Sequence, residues 1–251
     1  MVKRFISSLI NRTTWRLLEK TLLGVAALYL VYLASFSFFA VFGFLCVLLY
    51  VYLTAGAARR DFRFSFWLLQ IVFLLALASF SLPSLLLLVY GLILFALLGL
   101  MGAVFSNKFF AYGLTSIAVA FSFFAVLFSR TPSFSENSFW SEFWWLFFAF
   151  AVVYWLFKEY WQTFASWESR KMRLYGMTLG VLSAELATIV VFLPLGFLNA
   201  AAFMSLLLLI SRDTVLAHVR GFLNSSFVFR EITLFIVISS IIFATVSWRI
   251  Q

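Results

Sequence analysis

With 65% hydrophobic residues, 11% charged residues and a mean hydropathy of +1.09, this 251-residue chain lies far outside the composition of a soluble globular domain. Its length leaves room for about eight to ten membrane spans with short connections, and no polar stretch is long enough to form a separate soluble domain. The net charge of +9 does not point to nucleic acid, because the basic residues come in small groups between apolar runs instead of forming one continuous patch.

Residues 1–20 carry Lys3, Arg4, Arg12, Arg16 and Lys20 against a single Glu19. Val2, Phe5, Ile6, Leu9 and Ile10 recur at helical spacing, so the segment reads either as a basic amphipathic helix along the membrane surface or as a basic anchor for the first span. A cleaved signal peptide is not expected, because the basic region is long and Tyr32-Leu33-Ala34 is a poor cleavage site.

From Thr21 to Ala58 no charge occurs. A single helix of that length would be a rod of about 57 Å, against a hydrocarbon core of about 30 Å. The run must therefore fold back, giving spans 21–35 and 38–57 with a turn near Ser35-Phe36-Ser37. It returns to a second basic cluster, Arg59-Arg60-Asp61-Phe62-Arg63. The next hairpin has spans 64–80 and 85–106, turns at Ser81-Leu82-Pro83-Ser84 and ends before Lys108. Gln70 lies in its first helix, at a depth where the amide can reach water or a backbone carbonyl.

Span 109–128 leads to the polar outer loop 129–138. Span 139–157 follows, and Trp140, Trp144, Trp145 and Trp155, with Trp161 and Trp167 just beyond, fit the aromatic belts of a membrane interface. Lys158, Arg170, Lys171 and Arg173 mark the return. Residues 174–211 are another uncharged run apart from Glu185, read as spans 174–193 and 198–211 about a turn at Pro194-Leu195-Gly196.

In 212–230 one helical face carries Val215, Leu216, Val219, Phe222 and Leu223, and Arg212, Asp213, His218 and Arg220 take the other positions. This predicts a cytoplasmic amphipathic segment, either lying on the surface or extending the eighth span, and broken at Asn224-Ser225-Ser226. The last span is 232–248.

The expected fold is thus all-α: a polytopic transmembrane helix bundle of about nine spans forming one integral membrane domain over 1–251, built largely from helical hairpins, with the N-terminus cytoplasmic. Alternating spans place 16 of the 18 Lys and Arg residues inside, leaving only Arg130 and Arg249 outside. A missed span would invert every later loop and spread the charges over both sides. The expected location is a cell membrane of the bacterial cytoplasmic type.

Motifs for chemistry are largely absent. No P-loop, dinucleotide-binding glycine pattern, HExxH, CxxC or GxSxG occurs, so no cofactor is expected. The single histidine, His218, rules out a multi-histidine metal site within one chain, and the lone Cys46 rules out an internal disulfide. Glu185 is the only acid inside an apolar span, near mid-depth, where an ionised carboxylate costs at least a few kcal/mol. Thr178 and Thr188 share its helical face at i−7 and i+3, forming a polar stripe beside a packing groove of Gly176, Gly180 and Ala184, with Thr188 continuing the same i+4 steps. Gly99 and Ala103 form a shorter version.

Glu185 reads either as a proton or cation site of a small secondary transporter or as a neutral acid hydrogen-bonded to Asn199, a backbone carbonyl or another subunit. The first functional reading is a non-enzymatic scaffold or a subunit of a membrane assembly, with the lipid bilayer and other membrane subunits or a second copy as partners and no nucleic acid. Transport comes second. An enzyme acting on lipid-linked substrates comes third, resting only on the outer acids Glu136 and Glu142.

Overall fold

The computed structural model describes residues 12–56, 61–80, 82–102, 104–105, 108–130, 139–164 and 169–246. The described residues form nine helices and no strand: α1 (Arg12–Leu33), α2 (Phe38–Leu53), α3 (Arg63–Ser79), α4 (Pro83–Met101), α5 (Lys108–Ser129), α6 (Phe139–Phe164), α7 (Ser169–Phe192), α8 (Phe197–Val219) and α9 (Ser225–Ala244). Five of them, α4, α5, α7, α8 and α9, are long and apolar enough to cross a membrane. The basic residues before position 12, the polar loop with Glu136, Trp167 and Arg249 lie outside the described residues, as do the side chains of 139–142.

The helix ends have local causes. α1 ends in a Schellman turn: the Phe36 N–H reaches the Val31 carbonyl at 2.9 Å and Ser35 takes φ 48°, a left-handed position that usually falls to glycine. Ser37 then caps α2, its Oγ accepting from the Ala40 N–H at 3.4 Å. Pro83 opens α4, where its missing N–H costs nothing.

α8 closes with the same motif, using Gly221 at φ +72° and a Phe222 N–H to Ala217 carbonyl bond of 2.9 Å. Asn224 starts α9 by accepting from the Phe227 N–H at 2.8 Å. These caps move two predicted boundaries. Of the two forms predicted for 212–230, the extension is the one observed, as α8 runs unbroken to Val219, and α9 begins at Ser225 instead of 232 and ends at Ala244. At the other end of the chain, residues 12–20 are the first turns of α1, continuous with the predicted span.

The helices gather into two compact units, 1–119 and 120–251, the division falling within α5. In the first unit α1 packs against α2, α3 and α4, and α3 against α4. The α1–α4 contact is close because glycines face it: a Cβ on Gly24 would lie 2.7 Å from Leu94 Cδ2, and one on Gly91 would lie 3.1 Å from Val25 Cγ2. The nearest neighbour of the predicted Gly99 groove is a loop residue. Phe105, just past the end of α4, fills it, and a Cβ there would sit 2.5 Å from that ring; Ala103 lies outside the described residues.

In the second unit α6 packs along α7, α7 against α8 and α8 against α9. Phe203 of α8 meets Phe235 and Phe243 of α9 at 5.9 and 5.6 Å. Trp161 corrects the aromatic-belt reading: it is fully buried, 5.9 Å from the Tyr175 ring of α7.

Gly56, after α2, has φ +126°, and a Cβ there would lie 2.8 Å from the Met101 carbonyl oxygen. Strain and a backbone clash therefore coincide, and Gly56→Ala is expected to lose about 1–3 kcal/mol. Gly43, within α2, has nothing within 4 Å of an added Cβ, so Gly43→Ala should be neutral or slightly stabilising. Thermal unfolding of the two variants in a mild detergent checks the contrast.

Candidate functional site

α7 carries two different faces. Gly176, Leu179, Gly180, Ser183, Ala187 and Val190 are buried. The two glycines are occupied by α6: added Cβ atoms would meet the Tyr154 ring at 3.1 Å and the Phe150 ring at 2.8 Å, and these two rings stack 6.0 Å apart. Ala184 is half-buried at the edge of this ridge.

On the other side Leu174, Thr178, Val181, Glu185 and Phe192 are exposed and Thr188 is half-buried. Thr178 and Glu185 each stand two residues from a buried position, Gly176 and Ser183, which on a helix is about 200°. The polar stripe is therefore opposite the packing groove, not beside it. Gly176 and Gly180 face α6, and the carboxyl of Glu185 faces away from it.

Neither threonine offers Glu185 a donor. Thr178 Oγ1 donates to the Leu174 carbonyl at 3.0 Å and Thr188 Oγ1 to the Ala184 carbonyl at 3.0 Å, each closing on its own helix. Asn199, half-buried on α8, forms no hydrogen bond with Glu185, so that predicted pairing is not made. Among the described residues no hydrogen bond or ion pair reaches the Glu185 carboxyl. It lies about 10 Å along the helix from Phe192 and about 16 Å from Leu174, well inside an apolar stretch.

Charged groups collect at the other end of the second unit, among them Glu159, Arg230 and Glu231, which sequence reasoning did not single out. Arg212 pairs with Asp213 at 2.8 Å and lays its guanidinium 5.1 Å from the centre of the Tyr160 ring, joining α8 to α6. Lys158 stands 4.1 Å over the Trp155 ring, and Glu159 is buried. On α9, Glu231 is buried and takes Arg230 at 2.7 Å, whose own side chain is exposed and stacks on Phe227 at 4.6 Å. His218 is exposed. Lone charged letters at a helix end read as topology marks, and only packing reveals which of them are covered.

The first unit holds the best-satisfied polar pair. Gln70 is buried, its Nε2 donating to the Phe66 carbonyl at 3.2 Å and its Oε1 accepting from the Tyr90 hydroxyl at 2.5 Å. Tyr90 also packs against Phe73 and Gly24. Nearby, Ser65 and Tyr112 share a hydrogen bond of 3.1 Å. At the end of α2 the Lys20 ammonium donates to the Thr54 carbonyl, a cation at a helix C-terminus. Burial, with repulsion from Arg16 behind it, holds the Lys20 pKa below its ordinary value.

Chemically these arrangements bind helices to one another. No nucleophile is aligned with a base by the contacts described above, and among the described residues no group of three or more His, Cys, Asp or Glu could hold a metal ion.

Removing one member of the Gln70–Tyr90 pair leaves the other buried and unpaired, which is expected to cost about 1–3 kcal/mol. Tyr90→Phe and Gln70→Leu should each lower the thermal midpoint in detergent. The double variant should lose less than the sum of the two, and a double-mutant cycle measures that coupling.

Compared with protein-family models, with characterised proteins and with solved structures, the chain matches none.

Proposed function

We propose that this chain is a nine-span integral membrane protein with a cytoplasmic N-terminus that acts without catalysis, as a subunit or scaffold of a membrane assembly. The single observation behind this reading is the Glu185 carboxyl, exposed on the outward face of α7 with no bonding partner among the described residues. A carboxyl facing hydrocarbon is costly, so a surface that carries one is a surface meant to be covered. A transport role draws less support, since a proton or cation site should line a path between helices, and Glu185 turns away from the α6 groove of its own unit.

The topology rests on charge and length together. Five helices are long enough to span by themselves. α2 and α3, at 16 and 17 residues, are near the lower limit, and α1 and α6 carry their basic residues toward the ends that the positive-inside rule assigns to the cytoplasm. Reporter fusions after Arg60, Ser84, Glu136 and Ser169 should alternate between the two sides, with Arg60 and Ser169 inside and Ser84 and Glu136 outside. The same side for Arg60 and Ser84 would refute the arrangement.

For the assembly, the particle extracted in mild detergent should be larger than a monomer. Glu185→Gln, which keeps hydrogen-bonding capacity, should preserve it, and Glu185→Leu should shift it toward monomer by severalfold. An identical particle size in wild type and both variants would remove Glu185 as the contact.

A further inference from the structure

The outward face of α7 has a regular spacing. Leu174, Thr178, Val181, Glu185, Thr188 and Phe192 follow one another at steps of four, three, four, three and four, the a/d pattern of a left-handed helix pair. Five of these six side chains are exposed and Thr188 is half-buried, and the α6 contact occupies the opposite side of the helix. The threonine hydroxyls are already spent on their own helix, so the seam is apolar in effect except at one a position, Glu185.

We propose that this seam is a two-fold interface with a second copy of the same chain, parallel in the membrane, in which the two Glu185 carboxyls meet. The proposal rests on the assembly reading above and names its partner. A second copy inserted the same way and related by an axis along the membrane normal places its own Glu185 at the same depth without any further requirement. The chemistry is self-complementary: one carboxyl keeps its proton and donates it to an oxygen of the other, so neither group faces hydrocarbon and two full negative charges never face each other. The carboxyl pair supplies its own donor and acceptor, so the seam needs no Lys or Arg from another helix. A single polar a position also sets register, since sliding one helix by a turn would put one acid against Val181 and the other against Thr188, whose hydroxyl is already bonded to its own helix. The bulk of Leu174, Val181 and Phe192 fits knobs-into-holes packing. The two glycines that allow close backbone contact, Gly176 and Gly180, are on the opposite side.

Cysteine cross-linking in native membranes tests this. Cys46 is exposed and is first replaced in a Cys46→Ser background. Val181→Cys and Thr178→Cys, in the seam, should form disulfide dimers of this chain under a mild oxidant. Ile236→Cys, exposed on α9, should not. Adding Glu185→Leu should reduce the Val181→Cys dimer severalfold, and adding Glu185→Gln should leave most of it. Failure of both seam positions to cross-link, or equal cross-linking at Ile236→Cys, overturns the dimer. In that event a detergent particle still larger than a monomer keeps the assembly reading with a different partner, and a monomeric particle removes both.

Discussion

The constraint on which the rest of this structure depends is that a polar group inside the apolar helices must find its partner within protein. Backbone groups meet it by being helical, and the hydroxyls meet it locally. Thr21, Ser79, Thr115, Ser183, Ser205 and Thr233 each donate to the carbonyl four residues back. Such bonds make serine and threonine nearly neutral passengers on an apolar helix, whichever way they face. Groups that cannot close on their own turn determine how helices pair. Gln70 has one donor for its own helix and one acceptor left over, and that acceptor takes Tyr90 of α4.

Among the described residues Glu185 has neither solution. Its acceptor oxygens find no spare N–H in the middle of a helix. The residues that make α7 pack tightly, Gly176 and Gly180, lie on the far side and bring α6 close. One helix thus joins its own unit through a small-residue face and presents an acid on the other. This division of faces, more than the acid alone, is what the proposed assembly reading builds on.

The helical class was legible because apolar runs longer than one bilayer crossing have to fold back, and because charges interrupt them on alternate sides. Turns with strong local chemistry were legible too, as at Pro83 and Asn224. The end of α1 was harder, since its left-handed position is filled by Ser35, and serine gives a weak signal there. The extension past Arg212 and Asp213 was legible only as one of two alternatives, because these residues look like the edge of a membrane span. Both stay within the helix by pairing with each other beside Tyr160. Faces were the least legible feature. In an all-apolar helix hydropathy cannot tell a lipid-facing side from a buried one, so Trp161 and Trp155 read alike, although one is buried and the other exposed. Glu185 could be singled out as a letter, but its direction depends on the glycines that turn the opposite face toward α6.

Magnitudes indicate what would drive two such faces together. A hydrogen bond between membrane helices contributes about 0.6–2 kcal/mol, because the separated helices also find partial partners. Placing an acid near the middle of the bilayer costs more, about 2.5–3.5 kcal/mol on insertion scales. Relief of that exposure therefore outweighs the bond itself. The bond mainly decides geometry, which is the usual part played by a polar residue in an otherwise apolar seam. In the proposed dimer the apolar contacts of Leu174, Val181 and Phe192 would hold the two helices together, and Glu185 would keep them in register.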